Sequence, residues 1–299
     1  MNKIKIYILS FLIVTLSIGI GSAQTVPIPD ILHFEFDNQS SLGESTTLAV
    51  DGINAHEGVI SNMADYTTGK IGNATDLTGS TPSYITIADH DDLSRGIPPF
   101  HDDDRDFTIS FSIKCDDYSN ILILEKANEY KLETIDGILT YTQHDNLWSG
   151  DFIKRSTLDL TRYNGGDYIH IVLTGRYPTG AGRFYVNNEY CSVPLNVPGV
   201  TYEGMHNTDS DLIIGDTSTD HNMCIDGLQM YTYYLDDRDV EYLYYSIYEG
   251  NPAKMRSMWE LIQDVVSNLG ALINMIVLVI VMTCVIAIGG WIKSFVKIT

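Results

Sequence analysis

In "DFTISFSIKC", residues 106–115, apolar side chains fall on every second position. Phe107, Ile109, Phe111, Ile113 and Cys115 alternate with Thr108, Ser110, Ser112 and Lys114. A period of two puts the two sets on opposite faces of an extended strand. The same alternation recurs in "DYIHIVLTG" (167–175), "GRFYVNNEYCSV" (182–193) and "CIDGLQMYTYYL" (224–235). Shorter runs at 31–37, 83–88, 120–126, 130–134, 137–143 and 210–215 also read as strands, and Asn187-Asn188 reads as a hairpin turn. Roughly a dozen strands, parted by Gly, Asn, Asp and Pro clusters, predict an all-β fold of two antiparallel sheets packed as a sandwich. One helix interrupts the pattern: Asp236 is placed to cap "DDRDVEYLYYSIY", whose first turn is acidic.

The pattern changes at both ends of the chain. Lys3 and Lys5 precede an apolar run from Ile6 to Ile20 and the small residues of "GSA", Gly21 to Ala23. That order predicts a secretory signal peptide, residues 1–23. An uncleaved anchor is the alternative, and the run is shorter than the ~20 residues a span prefers. Near the other end, Ala271 to Ile292 carries no charge over 22 residues, with Trp291 at its edge and Lys293 and Lys297 beyond. This predicts a transmembrane helix at 271–292 and a cytoplasmic tail at 293–299. A buried core helix is the competing reading, but few cores accept a helix apolar on every face. Between Gly250 and the span, Met255, Met258, Trp259, Ile262, Val265, Val266 and Leu269 recur at helical spacing. They predict an amphipathic juxtamembrane helix at 250–270, able to lie on the bilayer, pack on the sandwich or pair with a second copy. The body at 24–249 is then an ectodomain on a single-pass membrane protein, exposed at a cell or virion surface.

Charge narrows the partners. All 39 acidic residues lie between positions 24 and 270; without Lys3, Lys5, Lys293 and Lys297 the 18 basic residues become 14, a formal charge of −25. Such a surface repels nucleic acid and anionic lipid. It serves either to hold cations or simply to keep the domain solvated. Cys284 falls in the span, leaving Cys115, Cys191 and Cys224 in the body, an odd number that permits one internal bridge at most. Sequons stand at Asn38 ("NQS") and Asn73 ("NAT").

Several pieces, in order, resemble a known family. "HFEFD" ends in Phe36-Asp37; Gly69-Lys70-Ile71-Gly72-Asn73-Ala74, Gly79 and "SYITI" follow; then come "FTISFSI", "YIHIVLTGRY", "FYVNNEY" and the closing "LIIGD…MCIDGLQMYTYYLDDRDVEYLY". Over about residues 30–248 this order resembles the LamG-like jelly-roll domains of the concanavalin A-like lectin/glucanase superfamily. The chain departs from the pattern at Thr78, Gly227 and Tyr168, where an Asp, a Glu and a Trp are usual. The stretch from Tyr66 to His90 becomes scaffold: glycines turn the chain between strands, Ile85 and Ile87 share one face, and "DHDDLS" is a surface loop.

The resemblance implies a carbohydrate or protein binder with Ca²⁺ in loops at one rim. Asp89, Asp91 and Asp92, then Asp102, Asp103 and Asp104, and finally Asp226 are the candidate oxygen ligands. On so acidic a chain, clusters also arise by chance. The resemblance further implies a Cys191–Cys224 disulfide, closing a loop of about 33 residues; two unpaired small residues are the alternative. Trp148 in "HDNLWSGD" is placed to stack on a sugar or to anchor its loop. Glucanases of the superfamily carry a Glu-x-Asp-x-(x)-Glu strand, which is absent here; Glu125, Glu129 and Glu133 do not reproduce it. The reading is therefore a membrane-anchored binding module without enzymatic activity, directed at glycans. A structural envelope protein binding another protein is second, and a glycoside hydrolase third. Homo-oligomerisation would run through the juxtamembrane and transmembrane helices.

Overall fold

The computed structural model describes residues 27–54, 56–62, 65–78, 81–94, 106–144, 152–176, 181–192, 207–217 and 222–245. The chain divides into two units, Met1–Tyr244 and Tyr245–Thr299, and all described residues but Tyr245 belong to the first. The expected signal peptide, juxtamembrane helix and membrane span lie outside the described residues, as do Asp102, Asp103, Asp104 and Trp148. Among the described residues no helix is long and apolar enough to cross a membrane.

Two antiparallel sheets carry the fold. The first runs β14 (Glu189–Tyr190), β13 (Ala181–Val186), β12 (Ile169–Arg176), β7 (Phe107–Cys115), β16 (Met223–Tyr231), β5 (Asn73–Asp76) and β4 (Asp65–Thr68); β1 (Leu32–Phe34) also pairs with β16. The second runs β11 (Phe152–Asp159), β10 (Ile138–Gln143), β9 (Tyr130–Ile135), β8 (Leu122–Lys126), β15 (Leu212–Gly215), β6 (Tyr84–Ile87), β3 (Glu57–Ser61) and β2 (Leu48–Val50).

The alternation read in the sequence sets the packing. Ile109, Phe111 and Ile113 of β7 sit in register with Leu173, Ile171 and Ile169 of β12, and all six are buried. Ile85 and Ile87 of β6 and Leu212 and Ile214 of β15 belong to the same core. Each such side chain contributes about 1.5–3 kcal/mol by leaving water. On the polar face of β7, Thr108, Ser110 and Ser112 are buried too, and only Lys114 is exposed. There, Thr108 Oγ1 donates to Tyr233 O at 2.9 Å and accepts from Leu235 N at 3.1 Å. Ser110 Oγ lies 2.8 Å from His170 Nε2 on β12. The predicted helix follows as α1 (Asp237–Leu243): Asp236 accepts from Arg238 N and Asp239 N, and Asp239 accepts back from Asp236 N. The unpaired N–H groups at the start of the helix are thereby satisfied reciprocally.

The turn between β4 and β5 joins three distant segments. Asp226 Oδ2 accepts from Lys70 N at 2.8 Å and Ile71 N at 3.0 Å. Asp37 Oδ1 accepts from Asn73 N at 2.7 Å. Burial pushes the Asp226 carboxyl up to about 6, against the backbone donors, with Asp37 adding repulsion. Gly227 takes φ +62° at the point where β16 shifts register on β7. A bulge there needs a left-handed residue, which glycine supplies without steric cost.

The expected Cys191–Cys224 disulfide is corrected by the structure: Cys115, Cys191 and Cys224 are free thiols. Cys191 N bonds Phe184 O of β13 at 2.9 Å, whereas Cys224 lies on β16, with β12 and β7 between. Cys191 continues the β14 strand, so β13 also intervenes and four strand spacings of about 4.8 Å separate the two, while a bridge needs Cα atoms within about 7 Å. Cys191 Sγ donates instead to Phe184 O at 3.6 Å, and Cys224 Sγ to Asp76 Oδ1 at 3.7 Å.

Candidate functional site

At one end of the second sheet, the loop before β3, the loop after β6, the β8–β9 turn and the segment before β15 meet. Lys126, the last residue of β8, pairs with Leu212 and Tyr130 and is wholly buried. A lysine so placed must find oxygen for its ammonium. Its Nζ donates to Asp89 Oδ1 (2.6 Å), Thr208 O (2.9 Å) and Ser210 O (2.7 Å), which uses all three N–H groups, and Glu129 Oε1 stands 2.8 Å away as a second ionic partner. Glu129 Oε1 also accepts from Thr208 N at 2.7 Å and from Ser94 Oγ at 3.1 Å. Its Oε2 is buried without a hydrogen bond. This cage locks the loops together; enclosed by oxygens, the amine has no access to a substrate.

Beside the cage stands a second group. Asp92 receives two imidazoles: His56 Nε2 is 3.1 Å from Oδ2 and His90 Nδ1 is 2.7 Å from Oδ1. The two rings meet edge to face with centroids 5.0 Å apart. Backbone bonds hold the loops that bring them together. Asp51 accepts from His33 N, Ile53 N and Asn54 N, and its own N–H donates to His56 O at 2.9 Å. Leu93 N donates to His90 O at 3.0 Å, and Tyr130 OH to Leu93 O at 2.9 Å. An adjoining cleft of about 20 Å³, bordered by Asp92, Ser94, Phe107, Tyr130, Tyr141 and Met230, admits a water-sized molecule and no sugar ring.

Among the described residues, the aspartates expected to hold Ca²⁺ stand in different surroundings. Asp89 is committed to Lys126, and its own N–H donates to Asp211 Oδ1 at 3.0 Å. Asp91 is exposed, and Asp92 faces the two histidines. Asp226 belongs to the other sheet and accepts from backbone amides. The donor set at the rim, two imidazoles and a carboxylate, does not suit a cation that takes six to eight oxygens. Of the sequons, Asn38 is exposed, while Asn73 Nδ2, the atom a glycan would occupy, donates to Asp37 O at 2.9 Å.

Sequence reasoning missed His56 and His90. They lie 34 positions apart in different loops. The signal that finds them is the pairing of β3 with β6, Gly58 opposite Ile87, which brings the two adjoining loops side by side.

No family profile matches the chain, and no curated protein matches it in sequence. Solved structures do share its fold. A structure from work on botulinum neurotoxin type C, whose cell entry depends on interaction with two ganglioside molecules, is 16% identical with a TM-score of 0.52, over 73% of this chain and 51% of that one. The binding domain of Paraclostridial Mosquitocidal Protein 1 is 16% identical with a TM-score of 0.54, over 73% and 52%. The binding domain of botulinum neurotoxin DC, in complex with rat synaptotagmin II, is 14% identical with a TM-score of 0.55, over 74% and 52%. The chain thus spans about half the length of these structures. At such identity the likeness establishes the two-sheet sandwich and nothing finer.

Proposed function

We propose that this chain is a membrane-anchored, surface-displayed binding module of the concanavalin A-like jelly-roll type, whose ligand is a glycan. The observation that carries the reading is the two-sheet sandwich itself, an architecture it shares with toxin binding domains, one of them from a toxin that interacts with gangliosides. The leader at 1–23 and the span at 271–292 place the sandwich outside the membrane and tether it there. The surface charge keeps the module soluble and turns nucleic acid away.

A protein ligand is the second reading, favoured by the complex of one similar binding domain with synaptotagmin II. Hydrolysis ranks below both. Glu129 is held by Lys126 and Glu133 by Lys131, each at 2.8 Å, so neither stands ready as half of a catalytic carboxylate pair. Purified full-length chain in detergent, applied to a glycan array, tests the proposal. Reproducible binding to a defined set of sugars is expected. An empty array together with tight binding to one surface protein would replace the first reading with the second.

A further inference from the structure

We infer that His56, His90 and Asp92 form a binding site for a divalent transition-metal ion of the Zn²⁺ class. Each offers one ligand atom, and the three atoms lie within 4.8 Å of one another. The Asp92 carboxylate turns one oxygen to each ring: His56 Nε2 to Oδ2 is 3.1 Å, and His90 Nδ1 to Oδ1 is 2.7 Å. Around a tetrahedral zinc ion, with bonds of about 2.0–2.1 Å, neighbouring ligand atoms stand about 3.3 Å apart. The group therefore needs small side-chain adjustments and no movement of the strands.

The donor chemistry selects the ion. Imidazole suits Zn²⁺, Cu²⁺ and Ni²⁺, while Ca²⁺ and Mg²⁺ favour shells of oxygen. The surroundings suit a pre-formed site. The His56 side chain is only 8% exposed and Asp92 24%, so two ligands are held by packing; His90, at 60%, can turn onto the ion from solvent. The supporting bonds, Asp51 N to His56 O and Leu93 N to His90 O, fix the backbone behind both histidines. Asp89 and Glu129 compensate the nearby Lys126, which lowers the repulsion its ammonium would exert on a metal cation. Three protein ligands leave a fourth position for water or for an oxygen of a bound ligand. That last role rests on the proposed binding function; the metal site does not.

The test is titration calorimetry on untagged, chelator-stripped full-length protein, with ZnCl₂ and CaCl₂ in separate runs and no glycan present. One Zn²⁺ per chain is expected, with no comparable heat from Ca²⁺. Affinity should fall at least tenfold in His56→Ala and in His90→Ala, and Co²⁺ should give the visible absorption of a tetrahedral site in the parent only. Because His90 is exposed, its variant keeps the test valid if His56→Ala fails to fold. Absence of Zn²⁺ binding, Zn²⁺ binding undiminished in His90→Ala, or preference for Ca²⁺ would each overturn the assignment. An empty glycan array would leave it standing.

Discussion

Lys126 and Asp89 meet Nζ to Oδ1 at 2.6 Å, with no part of the lysine side chain exposed to solvent. The contact joins the end of β8 to the loop after β6, and Glu129 completes the pairing from the next turn. Deleting one member of a buried ion pair leaves the rest uncompensated, at a cost of about 3–5 kcal/mol. Lys126→Met should lose stability on that scale in urea titration. Adding Glu129→Gln should recover part of the loss, since a buried carboxylate leaves with its counter-ion. Equal losses in the single and double variants would show that charge is not what couples them.

Gly72 and Gly165 separate backbone strain from collision. Their φ angles are nearly equal, +64° and +62°. A Cβ at Gly72 would collide with Asp37 Oδ1, whereas at Gly165 nothing comes within 4 Å. Both alanine variants should carry the left-handed penalty of about 1–2 kcal/mol. Gly72→Ala should cost about 1–3 kcal/mol more, because Asp37 must release Asn73 N. Matching thermal shifts in the two variants would contradict this account of the turn.

The sandwich was legible where alternation was clean, as in β7 and β12. It was illegible where the inward positions are polar. β11 buries Lys154 and Ser156, and β5, "NATD", turns Thr75 toward the core with hardly an apolar residue to announce it. Register slips hid the rest. Strict alternation from Ile121 and Ile123 would turn Glu125 inward, but β8 shifts register on β9 between Leu122 and Leu124, and Leu124 and Lys126 are buried instead. The rim site was half visible: the acidic loop at Asp89–Asp92 stands out in the sequence, but its partners His56 and Lys126 arrive only through pairing of distant strands.

The thiols should behave as three inert, separate groups. Burial pushes Cys115 up to about 11 and Cys191 and Cys224 up to about 12, so few thiolates form at neutral pH. Iodoacetamide at mildly alkaline pH should label them slowly in the folded protein and fully in urea. Reductant should leave the melting temperature unchanged. A peptide joining Cys191 to Cys224 after non-reducing digestion would restore the bridge and require different strand neighbours.

Stability should respond to acid through two buried groups of opposite sign. Burial holds His170 down at about 3, from an ordinary 6.5. Between those values the unfolded chain binds a proton that the folded chain refuses, so stability falls with falling pH, by at most about 1.4 kcal/mol per unit. Asp226 is pushed up to about 6 from 3.8, chiefly by burial. In that window the folded chain keeps a proton the unfolded chain has released, so stability rises as pH falls. The two contributions oppose each other between pH 6 and 3.8. Asp226→Asn should therefore lose stability more steeply than the parent on going from pH 6 to 4, and His170→Gln less steeply. Urea titrations at several pH values give the comparison directly, since the remaining acids are common to all three proteins. Parallel curves for parent and both variants would mean that neither side chain changes its proton affinity on folding.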